Sequence, residues 1–153
     1  MKKILIAVDD TKGSKTAFEV ASNLCSSIRP ETTILLYVEK FEGRSLMTEM
    51  LGDSEIATLR DVLTGTEYQE LLDKKAQTIL NYYKKAMEDK GLSKIKTVVK
   101  KGHPVDEILK SAKEEGADMI IIGSRGKRAS HMFMGSVSRE VANSATVPVL
   151  IVR

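Results

Sequence analysis

The sequence lacks most of the features that mark secreted, membrane-spanning and metal-binding proteins. Its single cysteine, Cys25, excludes an intrachain disulfide, and its two histidines lack the spacing of a metal site. No apolar run approaches the length needed to span a membrane, and the apolar stretch after Met1 is too short for a signal peptide. We therefore expect a cytoplasmic protein with no metal site and no membrane contact.

An excess of one charge sign is also absent. The chain carries 24 lysines and arginines against 21 acidic residues, and this net charge of +3 is too small to indicate nucleic acid as a partner. With 153 residues, 42% of them hydrophobic, the chain can bury one proper core. We predict a single domain over residues 1–153, with a partly helical insertion at about residues 39–66.

Three common catalytic motifs are missing as well. The sequence has no Gly-x-x-x-x-Gly-Lys-Ser/Thr phosphate loop, no Gly-x-Gly-x-x-Gly after its first strand and no Gly-x-Ser-x-Gly nucleophile elbow. No general base is evident either. The sequence therefore predicts no catalytic residues, with a slow ATPase as the remaining enzymatic alternative.

Continuous apolar runs alternate with amphipathic helical patterns along the chain. Strands are predicted at 4–8, 32–38, 94–101, 119–122 and 147–152, and helices at 13–29, 67–90, 104–115 and 135–144. The first helix is predicted to bury one apolar stripe: Ala17, Val20, Ala21, Leu24, Cys25 and Ile28. This alternation predicts an open, mostly parallel α/β sheet with helices on both faces. Ligands of such sheets bind beyond the carboxyl ends of the strands.

A glycine-rich segment, Gly123 to Ser138, joins the fourth predicted strand to the last helix. Backbone N–H groups in such a turn, together with a helix N-terminus, form a binding site for anions. Arg125, Lys127 and Arg128 add positive charge to the same segment. The pattern therefore predicts a phosphate cradle, although a strand-to-helix turn whose glycines serve only backbone geometry fits the spacing equally well.

Two adjacent aspartates, Asp9 and Asp10, follow the first predicted strand. They resemble the acidic Mg²⁺ pocket of response-regulator receiver domains, but the third strand ends in Lys100-Lys101 where that family needs an aspartate. The sequence leaves two roles open for Asp9. It can hydrogen-bond a ligand amine or hydroxyl, or it can satisfy the N–H groups of the turn before the first helix.

Five segments together carry a specific family resemblance, and they are Ile4–Ser14, Gly102–Leu109, Gly116–Gly126, Gly135–Ser138 and Pro148–Val152. In these segments the chain resembles the universal stress proteins, and the similarity covers essentially its whole length. The resemblance implies a Rossmann-like, adenine nucleotide alpha hydrolase-like fold with five strands in the order 3-2-1-4-5. It also implies a homodimer and an unidentified protein partner in the stress response.

The resemblance further implies ATP, with or without Mg²⁺, or AMP as the bound nucleotide. Near the adenosine it places Ala7, Val8, Asp9 and the backbone of Val38, with Gly123 beside the ribose. On the phosphates it places Gly126, Gly135, Ser136 and Val137, and Arg125 lies in the same loop.

Two departures from the family pattern bear on that site. The nucleotide-binding branch has nine residues between its Gly-x-x-Gly and the following Gly-Ser/Thr, whereas eight separate Gly126 from Gly135 here. The tighter loop implies a shifted or partly closed cradle. In addition, Asp10 stands where the family usually has a glycine. The alternative to an ATP-binding regulatory module is therefore a nucleotide-free interaction protein of the same fold.

The last predicted strand, Val147–Val152, contains Pro148 and no lysine, whereas the third carries Lys94, Lys96 and Lys100. A proline within a strand is typical of a sheet edge. An apolar edge without charged residues favours pairing with a second chain. We therefore expect the homodimer to form through Val147–Val152.

Overall fold

The computed structural model describes residues 1–39, 67–125 and 134–153. The predicted insertion beyond Glu39 lies outside the described residues, and so do three residues of the predicted cradle: Gly126, Lys127 and Arg128. Within the described ranges no helix is long and apolar enough to cross a membrane.

Strands and helices alternate along the described chain. In order they are β1 (Lys3–Ala7), α1 (Lys12–Ile28), β2 (Thr32–Glu39), α2 (Glu67–Asp89), β3 (Ile95–Lys101), α3 (Pro104–Glu115), β4 (Met119–Gly123), α4 (Ser136–Ser144) and β5 (Val149–Val152). The strands form one sheet in the order β3-β2-β1-β4-β5, with parallel pairing between each pair of neighbours. This confirms the predicted α/β fold and the strand order 3-2-1-4-5.

Strand β1 lies at the centre of the sheet. Ile6 pairs with Leu35 of β2 on one side and with Ile121 of β4 on the other. The chain runs from β1 outward through β2 to β3, and then returns to add β4 and β5 on the opposite side of β1. The strand order therefore reverses between β1 and β4, and this switch point is where such sheets bind ligands.

Each face of the sheet is buried beneath a pair of helices. On one face Ile4 and Ile6 pack with α1 and α2, including Phe18 and Tyr83. On the other face Leu5 packs among residues of α3 and α4, which include Ile108 and Val141. Because consecutive residues of β1 point to opposite faces, burial on both sides explains its continuous apolar sequence.

The predicted stripe of α1 is wrong at two of its six positions. Val20 and Ile28 are each 41% exposed, whereas Ala17, Ala21 and Cys25 are fully buried. With 100° between successive residues, Val20 lies to one side of the buried stripe. Ile28 is the final residue of the helix. The small polar residues Ser14 and Ser22 are buried instead, and their hydroxyl oxygens accept hydrogen bonds from the Asp9 N–H and from Lys90 Nζ.

The two sheet edges are β3 and β5, as predicted. Strand β5 begins at Val149, two residues later than predicted, and Pro148 precedes it and accepts a hydrogen bond from the Ile120 N–H at 3.0 Å. Two lysines of β3 are engaged in ion pairs. Lys96 and Lys100 form ion pairs with Glu115 and Glu114 of α3, at 2.7 and 3.0 Å.

Candidate functional site

The carboxyl ends of β1, β2 and β4 carry most of the described residues that the sequence singled out. Ala7 ends β1, Val38 is the penultimate residue of β2, and Gly123 ends β4. These three strands are neighbours in the sheet. The structure therefore brings the predicted residues of separate segments to one edge, on both sides of the switch point.

The turn between β1 and α1 is held by its own side chains. The Asp9 carboxylate Oδ1 accepts hydrogen bonds from the Thr11 N–H at 2.7 Å and from the Thr11 hydroxyl at 2.5 Å. The Asp9 N–H donates to Ser14 Oγ at 2.8 Å, and the Ser14 N–H donates to Thr11 Oγ1, which caps the helix. Of the two roles left open for Asp9, the structure shows the turn-forming one.

Tyr83 of α2 supports this turn from the core. Its hydroxyl donates a hydrogen bond to the Asp9 carbonyl oxygen at 2.8 Å, and its ring packs on Phe18 with ring centroids 4.5 Å apart. Burial raises the pKa of the Tyr83 hydroxyl. The sequence analysis missed this polar role of Tyr83. The available signal was that a buried tyrosine needs a partner for its hydroxyl.

Two glycines allow the first turn of α1 to pack directly on the end of β4. A Cβ atom on Gly13 would lie 2.5 Å from the Arg125 carbonyl oxygen, and one on Gly123 would lie 2.8 Å from the Gly13 carbonyl oxygen. Neither position therefore accepts a side chain without a shift of the backbone. Gly123 thus has a packing role that the sequence did not reveal, and the need for glycine at position 13 was missed.

The start of α4 is bonded to Ser124, the residue after β4, by two hydrogen bonds. The Gly135 N–H donates to the Ser124 carbonyl at 2.6 Å, and the buried Ser138 hydroxyl shares its proton between the Ser124 carbonyl at 3.2 Å and the Gly135 carbonyl of its own helix start at 3.0 Å. Gly135 is the N-cap residue of α4, and Ser136 and Val137 are its first two residues. The N-terminus of α4 therefore lies against the end of β4, where its dipole favours an anion.

The end of β2 adds a buried acidic group beside Val38. Glu39 is almost fully buried, and both the burial and its contact with Asp73 of α2 raise the pKa of its carboxyl group. At the neighbouring strand end, Asp10 forms an ion pair with Lys75 of α2 at 3.4 Å. Helix α2 thus contacts the ends of both β1 and β2. Within the described ranges no group of three or more His, Cys, Asp or Glu residues could hold a metal ion.

Comparison with known proteins identifies the family. A sequence model of the universal stress protein family matches residues 1–153, so the chain belongs to this family, as the resemblance predicted. The chain is 32% identical to the universal stress protein YxiE of Bacillus subtilis, over 99% of this chain and 98% of that protein. It is 30% identical to the universal stress protein MJ0577 of Methanocaldococcus jannaschii, over 99% of this chain and 94% of that one.

Solved structures agree with this assignment. The structure of MJ0577 superimposes with a TM-score of 0.76 over 99% of this chain and 94% of that one. A universal stress protein in complex with cAMP has a TM-score of 0.66 at 20% identity, covering 99% and 96% of the two chains. A family member from Arabidopsis thaliana with AMP bound has a TM-score of 0.65 at 19% identity, covering 99% and 91%. At these low identities, the last two comparisons show that the fold is shared and nothing further.

Proposed function

We propose that this universal stress protein is a regulatory module that binds an adenine nucleotide beyond the carboxyl ends of β1 and β4. The observation that carries the proposal is the meeting of three elements at the end of β4. The first turn of α1 packs on it through Gly13, and the N-terminus of α4 is bonded to it through Gly135. The complexes of proteins of this fold with cAMP and AMP support adenine as the base.

The phosphates of ATP, with or without Mg²⁺, or of AMP would lie at the start of α4. The first residues of a helix have N–H groups without intrahelical partners, and the helix dipole adds partial positive charge there. Ser136 is exposed and Val137 is half-buried in this first turn. Arg125 follows β4 at the same end of the sheet and adds a full positive charge.

The adenosine would lie between the ends of β1 and β2. The backbone of Val38 would recognise the adenine edge, with Ala7 and Val8 packing beneath the adenosine and Gly123 near the ribose. The parallel register pairs Ala7 of β1 with Leu36 of β2, and the next step along both chains brings Val8 opposite Tyr37, one residue before Val38. Asp9 would act through the turn that its carboxylate holds together.

The role we propose is regulatory, in the cytoplasm, with stress signalling passed to a protein partner. Two observations support binding without efficient catalysis. The Asp9 carboxylate is engaged by Thr11, and the other acid of the same turn, Asp10, forms an ion pair with Lys75. We expect ATP turnover well below the roughly 1 per second of an ordinary enzyme.

The test uses a charge placed at the proposed phosphate site. Ser136→Asp should weaken ATP binding at least about tenfold, because a carboxylate at the start of α4 competes with phosphate, while the same charge stabilises the helix itself. Thr146→Asp makes the same charge change at an exposed position near the opposite end of the sheet and should leave affinity unchanged. Titration calorimetry in which both variants bind ATP like the wild type would rule out this phosphate site.

The second candidate function is a nucleotide-free interaction protein of the same fold. The observation that favours it is that two groups which the resemblance assigns to the nucleotide are already satisfied internally. The Gly135 N–H donates to Ser124, and the Asp9 carboxylate accepts from Thr11. Under this alternative the wild-type protein gives no heat with ATP and no thermal shift.

We further propose a homodimer formed through the β5 edge, within the predicted segment Val147–Val152. Strand β5 is an outer strand of the sheet, and Val149, Leu150 and Ile151 are each only half-buried within one chain. An edge of this composition offers both unpaired backbone groups and apolar surface to a second copy.

A further inference from the structure

A buried acidic side chain at the end of β2 has no role in the proposed nucleotide site. Glu39 is the last residue of β2, and its side chain is only 3% exposed. Its Oε2 accepts a hydrogen bond from Gln69 Nε2 of α2 at 3.3 Å, while its Oε1 is buried and accepts no hydrogen bond within the described chain. A charged carboxylate in that position is strongly unfavourable, because one of its oxygens has lost water without gaining a donor.

A second carboxyl group lies next to it on α2. The Gln69 amide nitrogen that bonds Glu39 also donates to Asp73 Oδ1 at 3.0 Å, so one amide bridges both acids. The Glu39 and Asp73 carboxyl groups also lie within hydrogen-bonding reach of each other. Two carboxylates this close repel each other when both are ionised.

Among the described residues, one cation lies within 4 Å of both acids, and it is Lys101 of β3. Its Nζ lies 3.9 Å from Glu39 Oε2 and 3.7 Å from Asp73 Oδ1, and its side chain is 58% exposed. These are long contacts from a well-solvated ammonium group. One lysine therefore offsets one of the two negative charges and leaves the other uncompensated.

We propose that Glu39 and Asp73 hold a single proton between them, and that loss of this proton releases the first turns of α2 from the end of β2. With the proton on Glu39, its O–H donates to the Asp73 carboxylate and the pair carries one negative charge, which Lys101 balances. When the proton leaves to solvent, Glu39 is a buried anion beside another anion. The proton belongs to the pair, since each group sets the affinity of the other.

The directions of the two pKa shifts agree with a proton that resides on Glu39. Burial, and then the contact with Asp73, raise the pKa of Glu39. The hydrogen bonds from Gln69 and from Glu39 lower the pKa of Asp73. The contact is therefore strongest below the pKa of Glu39 and is lost as the pH rises through it.

Helix α2, whose start would be released, makes other contacts in the fold. Helix α2 also holds the β1–α1 turn, through the bond from the Tyr83 hydroxyl to Asp9 and the ion pair of Lys75 with Asp10. Tyr83 lies about three helical turns beyond Asp73 and is buried in the core. Deprotonation would therefore loosen the start of α2 while its second half stays packed. This behaviour does not require a nucleotide in the crevice.

The test is native-state hydrogen exchange of the nucleotide-free full chain, from about pH 5 to about pH 8 and corrected for intrinsic exchange rates. We expect the opening constant of amides in the second turn of α2, the first that are hydrogen-bonded within the helix, to rise with pH. The rise should be at most about tenfold per pH unit, the limit for one proton. Amides of β1 should show no such rise. Glu39→Gln should abolish the dependence in α2, and Asp73→Asn should move it to lower pH.

Glu70→Gln is the matched control, because Glu70 is an exposed acid in the same helical turn and its removal should leave the wild-type dependence intact. The proposal is overturned if α2 protection in the wild type is independent of pH, or if Glu39→Gln retains the dependence. Should Glu39→Gln fail to fold, carbon-13 NMR titration of the wild-type carboxyl groups decides. A Glu39 pKa at or below its ordinary value would also overturn it.

Discussion

At the scale of single residues, Gly13 and Gly123 determine how closely α1 approaches β4. Their backbones meet directly, and a Cβ atom on either would lie within 3 Å of a carbonyl oxygen. The two residues are far apart in sequence, so no local pattern links them. This is why the sequence suggested only a helix start for one and a ligand contact for the other.

Gly13→Ala should destabilise the protein, although glycine-to-alanine changes within helices usually stabilise. In an ordinary helix, replacing glycine with alanine stabilises by about 0.5–1 kcal/mol. Here the new Cβ would meet the Arg125 carbonyl oxygen at 2.5 Å, so we expect destabilisation by about 1–3 kcal/mol. Urea unfolding measures the change. A variant as stable as the wild type or more stable would show that the two backbones are not in contact.

Tyr83→Phe tests the bond that holds the β1–α1 turn. The ring stays packed on Phe18, but the Asp9 carbonyl loses its donor, and we expect a loss of about 1–2 kcal/mol in the free energy of unfolding. The neighbouring Tyr82 is 62% exposed, so Tyr82→Phe is a matched control with an expected change near zero. Equal stability of the two variants would contradict the assigned role of the Tyr83 hydroxyl.

At the scale of secondary-structure elements, the sequence predicted which strands and helices form, and it was less accurate about where they end and which way they face. Continuous apolar runs identified β1 and β4 because these strands are buried on both faces. Val20 was misplaced because an apolar side chain near the edge of a helical stripe fits the periodicity whether or not it is covered. Glu39 looks in sequence like any acid at the end of a strand, and its contact with Gln69 of α2 is a tertiary feature that no local pattern indicates.

The amino ends of β1 and β4 are joined by Asp118, which gives a prediction about pH. Its Oδ2 accepts hydrogen bonds from the Lys3 and Lys2 N–H groups, at 2.8 and 2.6 Å, and these bonds lower its pKa. A carboxyl group whose pKa is lowered in the folded state stabilises the fold at pH values above its pKa in the unfolded chain, about 3.9. This stabilisation is lost as the pH falls through the pKa of the folded state.

Asp118→Asn should therefore lower the melting temperature at neutral pH, and the gap from the wild type should shrink as the pH falls below about 4. Asp89→Asn, at the exposed last residue of α2, removes a charge that opposes the helix dipole and should not lower the melting temperature at any pH. Thermal denaturation followed by circular dichroism gives both curves. A gap that stays constant on acidification would show that the Asp118 charge does not matter.

At the scale of the whole molecule, the two edges of the sheet differ in a way that the sequence already indicated. In the outer strand β3, Lys96 and Lys100 form ion pairs with acids of α3, whereas β5 presents half-buried apolar residues. Both the strand order and the family could be predicted, because the sequence patterns that indicate them extend along the entire chain. The glycine loop was predicted as a motif, but residues 126–133 lie outside the described structure, and the phosphate site remains a proposal.

Leu150→Lys should convert the proposed dimer to a monomer, because burying a charge in the middle of a paired apolar edge is energetically unfavourable. Val20→Lys, at an exposed apolar position of α1, is the matched control and should leave the dimer intact. Light scattering at tens of micromolar protein gives the mass. A wild-type monomer would refute the dimer, and a dimer that survives Leu150→Lys must use another surface.

The central claim, that the crevice at the ends of β1 and β4 holds an adenine nucleotide, is tested most directly by thermal denaturation of the nucleotide-free wild type with and without ATP. A ligand that binds only the folded chain adds about 2.7 kcal/mol at one hundred times its Kd, which corresponds to a rise of several degrees in Tm. The account predicts a rise that saturates with ATP and is smaller with GTP at equal concentration. A Tm unchanged by millimolar ATP would contradict it.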